Sequence, residues 1–159
     1  ILAKKIKNIR FILVGREIDN QNNFLVNHLK SKGLYGKVIM MGEFKNMPEF
    51  FTSLDIFCLS SAWGEAFPNV LGEAMSCGVP CVATDVGDSR FLVGQAGRIV
   101  APRKPVEMAY AMEDLIKLDD DQKIQMGEMA RQMIIENYSI KKIAGKYEKI
   151  YDRLMIPQG

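Results

Sequence analysis

Residues 64–88 read GEAFPNVLGEAMSCGVPCVATDVGD, and this stretch decides the fold that the sequence predicts. Pro is favoured just inside the start of a helix and Gly just past its end, so Pro68 and Gly78 predict a short helix over 69–77. The apolar run after Gly78 predicts a strand over 80–84. A loop, a helix and a strand in this order are typical of an α/β fold.

The start of this predicted helix indicates an anion-binding site. The first N–H groups of a helix have no acceptor within it, and here they face the loop that contains Glu65. Glu65 and Glu73, with seven residues between them, flank this start. Carboxylates beside a bound anion are useful when they accept hydroxyl groups, so the implied ligand is part phosphate and part polyol, a nucleotide sugar.

Apolar runs and helical periodicity alternate along the rest of the chain. Further strands are predicted over 9–14, 38–41, 55–60 and 97–100, and further helices over 24–32, 48–53, 106–118, 121–138 and 139–155. The last predicted helix carries an apolar stripe: Ile140, Ile143, Tyr147, Ile150, Tyr151 and Leu154. Short apolar strands separated by helices predict an α/β fold with a doubly wound parallel sheet.

Composition limits the classes of function. The chain has 159 residues, of which 48% are hydrophobic, so it is expected to form one domain with its own core. Its 21 basic and 19 acidic residues give a formal net charge of +2, which argues against a nucleic-acid partner. No apolar run approaches the length of about 20 residues that crosses a bilayer, and the start shows no signal-peptide pattern. A soluble, cytoplasmic protein is therefore expected.

The cysteines and the single histidine give no sign of a metal or catalytic site. Cys58, Cys77 and Cys81 match no zinc spacing, and they are expected to be buried structural thiols in a reducing compartment. His28 falls in the predicted helix over 24–32, where a surface or packing role is expected. No cluster of carboxylates that would hold a metal is seen in the sequence.

The block LSSAWGEAFPNVLGEAMSCGVPCVATDVGD, residues 59–88, is similar to the donor-site block of a known family. Its Glu65 and Glu73 resemble the E-x7-E signature of retaining GT-B glycosyltransferases of the family 4 type. Looser similarity extends from residue 11 to about residue 151 and includes FILVG, VIMMGEF and the helical tail. The small residues of the helix, the GVP turn and the following strand make this signal stronger than two glutamates alone.

The resemblance implies that residues 1–159 form the C-terminal, nucleotide-sugar-binding half of a GT-B fold, a Rossmann-like domain with C-terminal helices over 106–155. The start, ILAKKIKNIRF, looks like a helix end that leads directly into a strand. A first strand, with an Arg and a Lys that bind pyrophosphate in the family, is therefore expected upstream. The acceptor-binding N-terminal domain is also expected there, so this chain alone is expected to be inactive.

The resemblance also implies roles for residues of the site. Glu65 takes the catalytic position near the reacting carbon, and Glu73 takes the position that contacts the ribose diol. Backbone N–H groups of the segment between them would contact the sugar and phosphates, and the residues concerned are Phe67, Asn69, Val70 and Leu71. EAFP stands here where the family often has EGFG, and Pro68 has no N–H to donate.

Loops after two predicted strands add further candidates for binding the nucleotide sugar. Gly15 and Arg16 follow the strand over 9–14, at the end where open α/β sheets bind ligands. Arg16 either approaches a phosphate or is simply solvated. The residues Gly42, Glu43 and Phe44 follow the strand over 38–41 and match the loop that contacts the nucleobase in the family. A tight turn at a strand end is the alternative interpretation of this loop.

The activity implied is retaining transfer of a hexosyl or N-acetylhexosaminyl group from a nucleotide sugar, with UDP favoured as the nucleotide. The implied acceptor is a saccharide or lipid-linked saccharide of surface polysaccharide biosynthesis, and peripheral association of the full-length enzyme with the inner face of the membrane is part of this expectation. No metal or other cofactor is expected. The alternative is a non-catalytic nucleotide-sugar binding or regulatory module of the same fold.

Other nucleotide-binding classes fit the sequence less well. A nicotinamide dehydrogenase would carry G-x-G-x-x-G after a strand, and GREIDN, residues 15–20, does not supply it. The P-loop of nucleoside triphosphatases is also missing from the sequence. A flavodoxin-like module could share the fold but would leave the two glutamates around the helix start unexplained.

Overall fold

The computed structural model describes residues 1–155 of the chain. The chain divides into two compact units, Ile1–Phe50 and a larger one that begins at Phe51. Residues 156–159, which the predicted domain over 1–159 includes, lie outside the described part.

The first unit contains two parallel strands connected through a helix. Its elements are α1 (Leu2–Lys5), β1 (Phe11–Leu13), α2 (Asn23–Ser31), a 3₁₀ turn (Tyr35–Lys37), β2 (Val38–Met40) and α3 (Met47–Thr52), within which the unit ends. Phe11 of β1 lies opposite Val38 of β2. Two parallel strands need a crossover, and α2 supplies it while burying Val26 and Leu29. Asn22 caps α2 by accepting a hydrogen bond from the N–H of Leu25 at 3.0 Å.

The second unit contains a three-stranded parallel sheet and five helices in the described part. Its elements are β3 (Phe57–Leu59), α4 (Asn69–Ser76), β4 (Cys81–Thr84), α5 (Ser89–Val93), β5 (Gly97–Val100), α6 (Pro105–Ile116), α7 (Asp120–Asn137) and α8 (Ile140–Met155). The strand order is β3-β4-β5. Cys81 of β4 lies opposite Phe57 on one side and Gly97 on the other.

The central strand β4 is the core of the second unit. All four of its side chains are buried, so both of its faces are covered, as in the parallel sheets of doubly wound folds. Val82 packs with Met108, Ala111 and Leu115 of α6. The predicted fold class, α/β with parallel strands, is confirmed.

The predicted elements agree with the structure except at their ends and in two short segments. The observed β1 and β3 are shorter than the predicted strands over 9–14 and 55–60. The helix α5 (Ser89–Val93) and the 3₁₀ turn were not predicted, because a single turn is too short to show a period. The predicted helix end before a strand at the start of the chain is observed as α1 and β1.

The apolar stripe predicted for the last helix is present on α8, but the described residues leave most of it exposed. Ile140 keeps 89% of its surface exposed and Leu154 keeps 76%. Within residues 1–155, the structure therefore contains an amphipathic helix whose apolar face is covered only in part, at Ile143.

The helices α4 and α7 meet where two glycines allow the backbones to touch. Gly78 follows α4 with a φ of +74°, and Gly127 lies buried inside α7. A Cβ atom added to Gly127 would lie 2.1 Å from the carbonyl oxygen of Gly78, closer than any real contact. At Gly72 of α4, by contrast, an added Cβ would lie 3.9 Å from Cδ1 of Ile134 of α7, which is an ordinary van der Waals distance.

The contact between Gly78 and Gly127 predicts that Gly127→Ala lowers the stability of the protein, although Gly→Ala in a helix usually raises it. In a helix interior, Ala is favoured over Gly by about 1 kcal/mol. For Gly127→Ala we expect instead a free energy of unfolding lower by about 1–3 kcal/mol, because the overlap is with backbone that must move. Gly145→Ala in α8 is the matched control, since an added Cβ there meets no atom within 4 Å. Chemical denaturation measures both, and equal stabilisation by the two changes would contradict this packing.

The three cysteines are free thiols, and they differ in burial. Burial raises the pKa of the Cys58 thiol to about 11. Burial also raises the pKa of Cys81, with a smaller contribution from Cys58 nearby. The pKa of Cys77 is raised by partial burial, while Arg131 lowers it and Glu73 raises it. These thiols are therefore protonated at neutral pH, as structural cysteines are.

These differences predict the order in which a thiol reagent modifies the folded protein. At pH 8 we expect a maleimide to react with Cys77 first, while Cys58 and Cys81 react only on unfolding, because the thiolate is the reactive form. Peptide mass spectrometry over a time course measures the order. Rapid native-state labelling of Cys81 would contradict the burial of β4.

Candidate functional site

The loop between β3 and α4 leads into a helix start at which two backbone N–H groups have no acceptor within the helix. Pro68 is the residue before α4; it is buried, and its backbone is extended. The N–H of Leu71 donates to the carbonyl of Pro68 at 3.0 Å, which closes the first turn. The N–H groups of Asn69 and Val70 precede that bond and have no acceptor within the helix. Of the α4 N–H groups predicted to bind an anion, those of Asn69 and Val70 are therefore the ones left without an acceptor in the helix.

The side chain of Glu65 is held inside this loop. Glu65 is half-buried, and the hydroxyl of Ser61 donates a hydrogen bond to its Oε1 at 2.6 Å. Ser61 is tied in turn to the central strand, because the Oγ1 hydroxyl of Thr84 donates to the Ser61 carbonyl at 2.7 Å. A chain of two hydrogen bonds thus leads from the carboxyl end of β4 to the Glu65 carboxylate.

The backbone beside Glu65 is clamped by the turn after β4. The N–H of Asp88 donates to the carbonyl of Ala66 at 2.8 Å. Gly87 has a φ of +56°, and a Cβ added there would lie 2.3 Å from the Ala66 oxygen and 2.5 Å from the Glu65 oxygen. Only glycine allows this turn to approach the loop so closely.

Glu73 lies on the solvent-facing side of α4. It is exposed, as is Asn69 four residues earlier, so the two share one face of the helix. The opposite face buries Leu71, Ala74 and Met75. For Leu71 the structure differs from the prediction, because its side chain is fully buried and its N–H already donates to Pro68. Leu71 packs the helix, and the nucleotide-sugar contact predicted for it is not supported.

Aromatic rings border the same loop. Phe67 is 40% exposed, and its ring centroid lies 5.4 Å from that of Tyr138 at the end of α7. Trp63 is 73% exposed, and the Arg103 guanidinium lies 5.7 Å from its ring centroid. The loop therefore presents two large apolar surfaces to solvent next to the helix start.

Asp85, which follows β4 directly, is paired rather than free. Its carboxylate accepts from Nε of Arg90 at 3.1 Å, and a second, shorter bond from Nη2 completes a two-point contact. The hydrogen bonds from Arg90 hold the pKa of the Asp85 carboxyl below its usual value. Both groups are solvated, so this pair contributes little to stability.

The five candidates of the first unit lie in the loops after β1 and β2. The N–H of Gly15 donates to the carbonyl of Gly42 at 2.9 Å, and the N–H of Gly42 donates to the carbonyl of Ile18 at 2.7 Å. Both glycines have positive φ, so the tight-turn interpretation holds for the backbone. The N–H of Gly42 is thus engaged within the protein, and a nucleobase contact through it is not supported. Arg16 and Glu43 are exposed, whereas Phe44 packs against Phe50 with ring centroids 6.3 Å apart.

Among residues 1–155, the structure offers neither a cluster of metal ligands nor a membrane span. No three His, Cys, Asp or Glu side chains of this part are grouped so that they could hold a metal ion. None of the helices described is long and apolar enough to cross a bilayer. His28 is exposed and stacks on Phe24, which agrees with a surface role.

A sequence profile of the family described as glycosyl transferases group 1 matches residues 1–118. The chain belongs to this family. N-acetyl-alpha-D-glucosaminyl L-malate synthase of Bacillus anthracis is 33% identical to it over 125 residues, which cover 77% of this chain and 32% of the synthase. This group 1 glycosyltransferase chain therefore spans about a third of the length of that curated relative.

Solved structures show the fold of the group 1 glycosyltransferase chain independently. A glycosyltransferase of Rickettsia africae ESF-5 superimposes with a TM-score of 0.87 at 21% identity, covering 98% of this chain and 43% of the other. The HepE protein of Anabaena, in complex with UDP-glucose, superimposes with a TM-score of 0.81 at 25% identity, covering 96% and 43%. The predicted Rossmann-like fold of GT-B glycosyltransferases is confirmed.

Sequence reasoning about the group 1 glycosyltransferase site placed Thr84 at the end of its strand but missed Ser61 and the hydrogen bond between the two residues. The structure collects Glu65, Phe67, Asn69, Val70 and Glu73 on one loop and the exposed side of α4, and those two hydroxyls fix the loop. One signal was available in the sequence: Thr84 ends an otherwise apolar strand. A buried hydroxyl needs a partner, and the loop after the neighbouring strand is the nearest place to find one.

Proposed function

We propose that this chain is the nucleotide-sugar-binding part of a retaining glycosyltransferase of the family 4 type, with a UDP-sugar as its substrate. The observation that carries the proposal is the placement of Glu65. Ser61 holds its carboxylate within the loop that leads directly into α4, where the N–H groups of Asn69 and Val70 have no acceptor within the helix, and exposed Glu73 lies one turn beyond Asn69. The 25% identity to HepE, whose structure contains UDP-glucose, supports UDP as the nucleotide.

In this proposal the start of α4 binds the diphosphate. The reaction breaks the bond between the anomeric carbon and a phosphate oxygen, and negative charge builds on the leaving nucleoside diphosphate. The N–H groups of Asn69 and Val70 and the helix dipole stabilise that charge without rearranging, since they are fixed before the reaction begins. No metal is needed for this step.

The two carboxylates bind hydroxyl groups at the two ends of the ligand. Glu73 accepts from the ribose diol, and Glu65 accepts from the transferred sugar near its anomeric carbon. Hydrogen bonds from a hydroxyl to an ionised carboxylate are stronger than those between neutral groups. The acceptor, a saccharide or a lipid-linked saccharide of surface polysaccharide biosynthesis, is bound by a separate N-terminal domain, so the chain alone binds the nucleotide sugar but does not transfer it.

Titration with UDP and GDP tests the binding part of this proposal. Glu73→Ala is expected to weaken UDP binding roughly 10- to 100-fold, the effect of losing hydrogen bonds to a charged group. Glu148→Ala, at an exposed glutamate of α8, is the control and should bind UDP like the wild-type protein. If the wild-type protein saturated with neither nucleotide, the proposed function would be wrong.

The catalytic part is tested in the full-length protein with UDP-glucose as the probe. Glu65→Gln is expected to lower kcat for UDP release by about 100-fold or more without weakening UDP binding, because Glu65 contacts the sugar being transferred and its charge repels the diphosphate. Tight UDP binding without any turnover in the wild-type protein would favour the non-catalytic binding module instead.

A further inference from the structure

Two independent contacts hold Glu65, one at the backbone and one at the side chain. The backbone contact is made by the Gly87 turn, where the N–H of Asp88 donates to the Ala66 carbonyl at 2.8 Å. The side-chain contact is the hydrogen bond from the Ser61 hydroxyl to Oε1 of Glu65, at 2.6 Å. Because the two are separate, loss of the hydroxyl frees the Glu65 side chain while its backbone stays clamped.

The bond from Ser61 is short enough to be of the charge-assisted kind. A hydroxyl that donates to a carboxylate lies at about 2.5–2.7 Å from it, closer than a hydroxyl that donates to a neutral acceptor. The bond engages Oε1, and a hydroxyl has only one proton to donate. A carboxylate has about four lone-pair sites, so Oε2 and the second lone pair of Oε1 stay available to a sugar hydroxyl in the proposed function, and Ser61 sets the plane of the carboxylate.

Thr84 in turn holds the backbone of Ser61 in place. Its side chain is 4% exposed, and its hydroxyl lies 2.7 Å from the Ser61 carbonyl and 3.4 Å from the Leu59 carbonyl. It sits at the end of β4, whose other side chains are fully buried. The fully buried strand β4 thus fixes the loop at Ser61.

We infer that Ser61 is a positioning residue of the glycosyl-transfer site: it orients the Glu65 carboxylate toward the transferred sugar, and Thr84 holds Ser61 in place. This inference rests on the proposed function and deepens it. It assigns Ser61 no contact with the ligand. Its effect passes through Glu65, so it belongs to the transfer step and leaves the binding of the nucleotide unaffected.

Kinetics of Ser61 variants of the full-length protein, with UDP-glucose as the probe, test the inference. Ser61→Ala is expected to lower kcat on the order of 10- to 100-fold, the effect of a misplaced catalytic group. Affinity for UDP and the thermal midpoint should stay at wild-type values, because the Gly87 turn keeps the loop in place. Ser61→Thr, which retains the hydroxyl, should restore most of the rate.

Two further variants distinguish a positioning role of Ser61 from a general loss of structure. Ser76→Ala removes a serine hydroxyl of α4 that donates to the Gly72 carbonyl at 2.8 Å, and it should leave kcat unchanged. In a Glu65→Gln background, Ser61→Ala should cause no additional loss, since the two residues act as one unit.

The outcomes distinguish this inference from the proposed function. A wild-type rate in Ser61→Ala, or additive losses with Glu65→Gln, would overturn the positioning role while leaving the proposed function intact. Parallel losses of UDP affinity and thermal midpoint in Ser61→Ala would also overturn it, because they indicate a structural role only. A Glu65→Gln variant with normal turnover would overturn both.

Discussion

The hydrogen bond from the buried Thr84 hydroxyl to the Ser61 carbonyl is the interaction on which the site depends. β4 is covered on both faces, so its carboxyl end is fixed by the core of the unit. Thr84 transfers that fixed position to the loop after β3, and the turn at Gly87 holds the same loop from the other side. A loop of irregular backbone thereby becomes as well placed as a strand, which a group that must meet a reacting carbon requires.

The helix that begins beside this loop, α4, is held in place at its C-terminal end. The chain after α4 touches the backbone of α7 at Gly78 and Gly127, and Leu71 and Met75 fill the space beneath the helix. Within residues 1–155, Asn69 and Glu73 stay exposed on the other face of the helix. Stability and binding are thus separated on one short helix: one face and the C-terminal end are used for packing, and the first turn and the other face stay available.

The sequence predicted those parts of the structure that are encoded locally. Pro68 and Gly78 mark the ends of α4, and the apolar run before Thr84 marks β4, so both were placed within about one residue. The link between Thr84 and Ser61 spans 23 residues of sequence, and no spacing or period encodes such a pair. The engagement of the Leu71 N–H by Pro68 was missed for a different reason. Which N–H of a first turn stays open depends on how tightly that turn is wound, and the sequence does not show this.

The charges of the proposed site favour a sugar nucleotide over the nucleotide that remains after transfer. Two like charges about 4 Å apart repel by about 1 kcal/mol in water and by about 4 kcal/mol near a protein surface. A carboxylate at Glu65 next to a diphosphate therefore opposes binding unless a sugar lies between them and donates its hydroxyl groups. The start of α4 offsets part of the repulsion with about half a positive charge. Once the sugar has been transferred, the hydrogen bonds to Glu65 are lost while the repulsion remains. Under the proposed function, the carboxylate that accepts from the sugar of the substrate therefore also promotes release of the product.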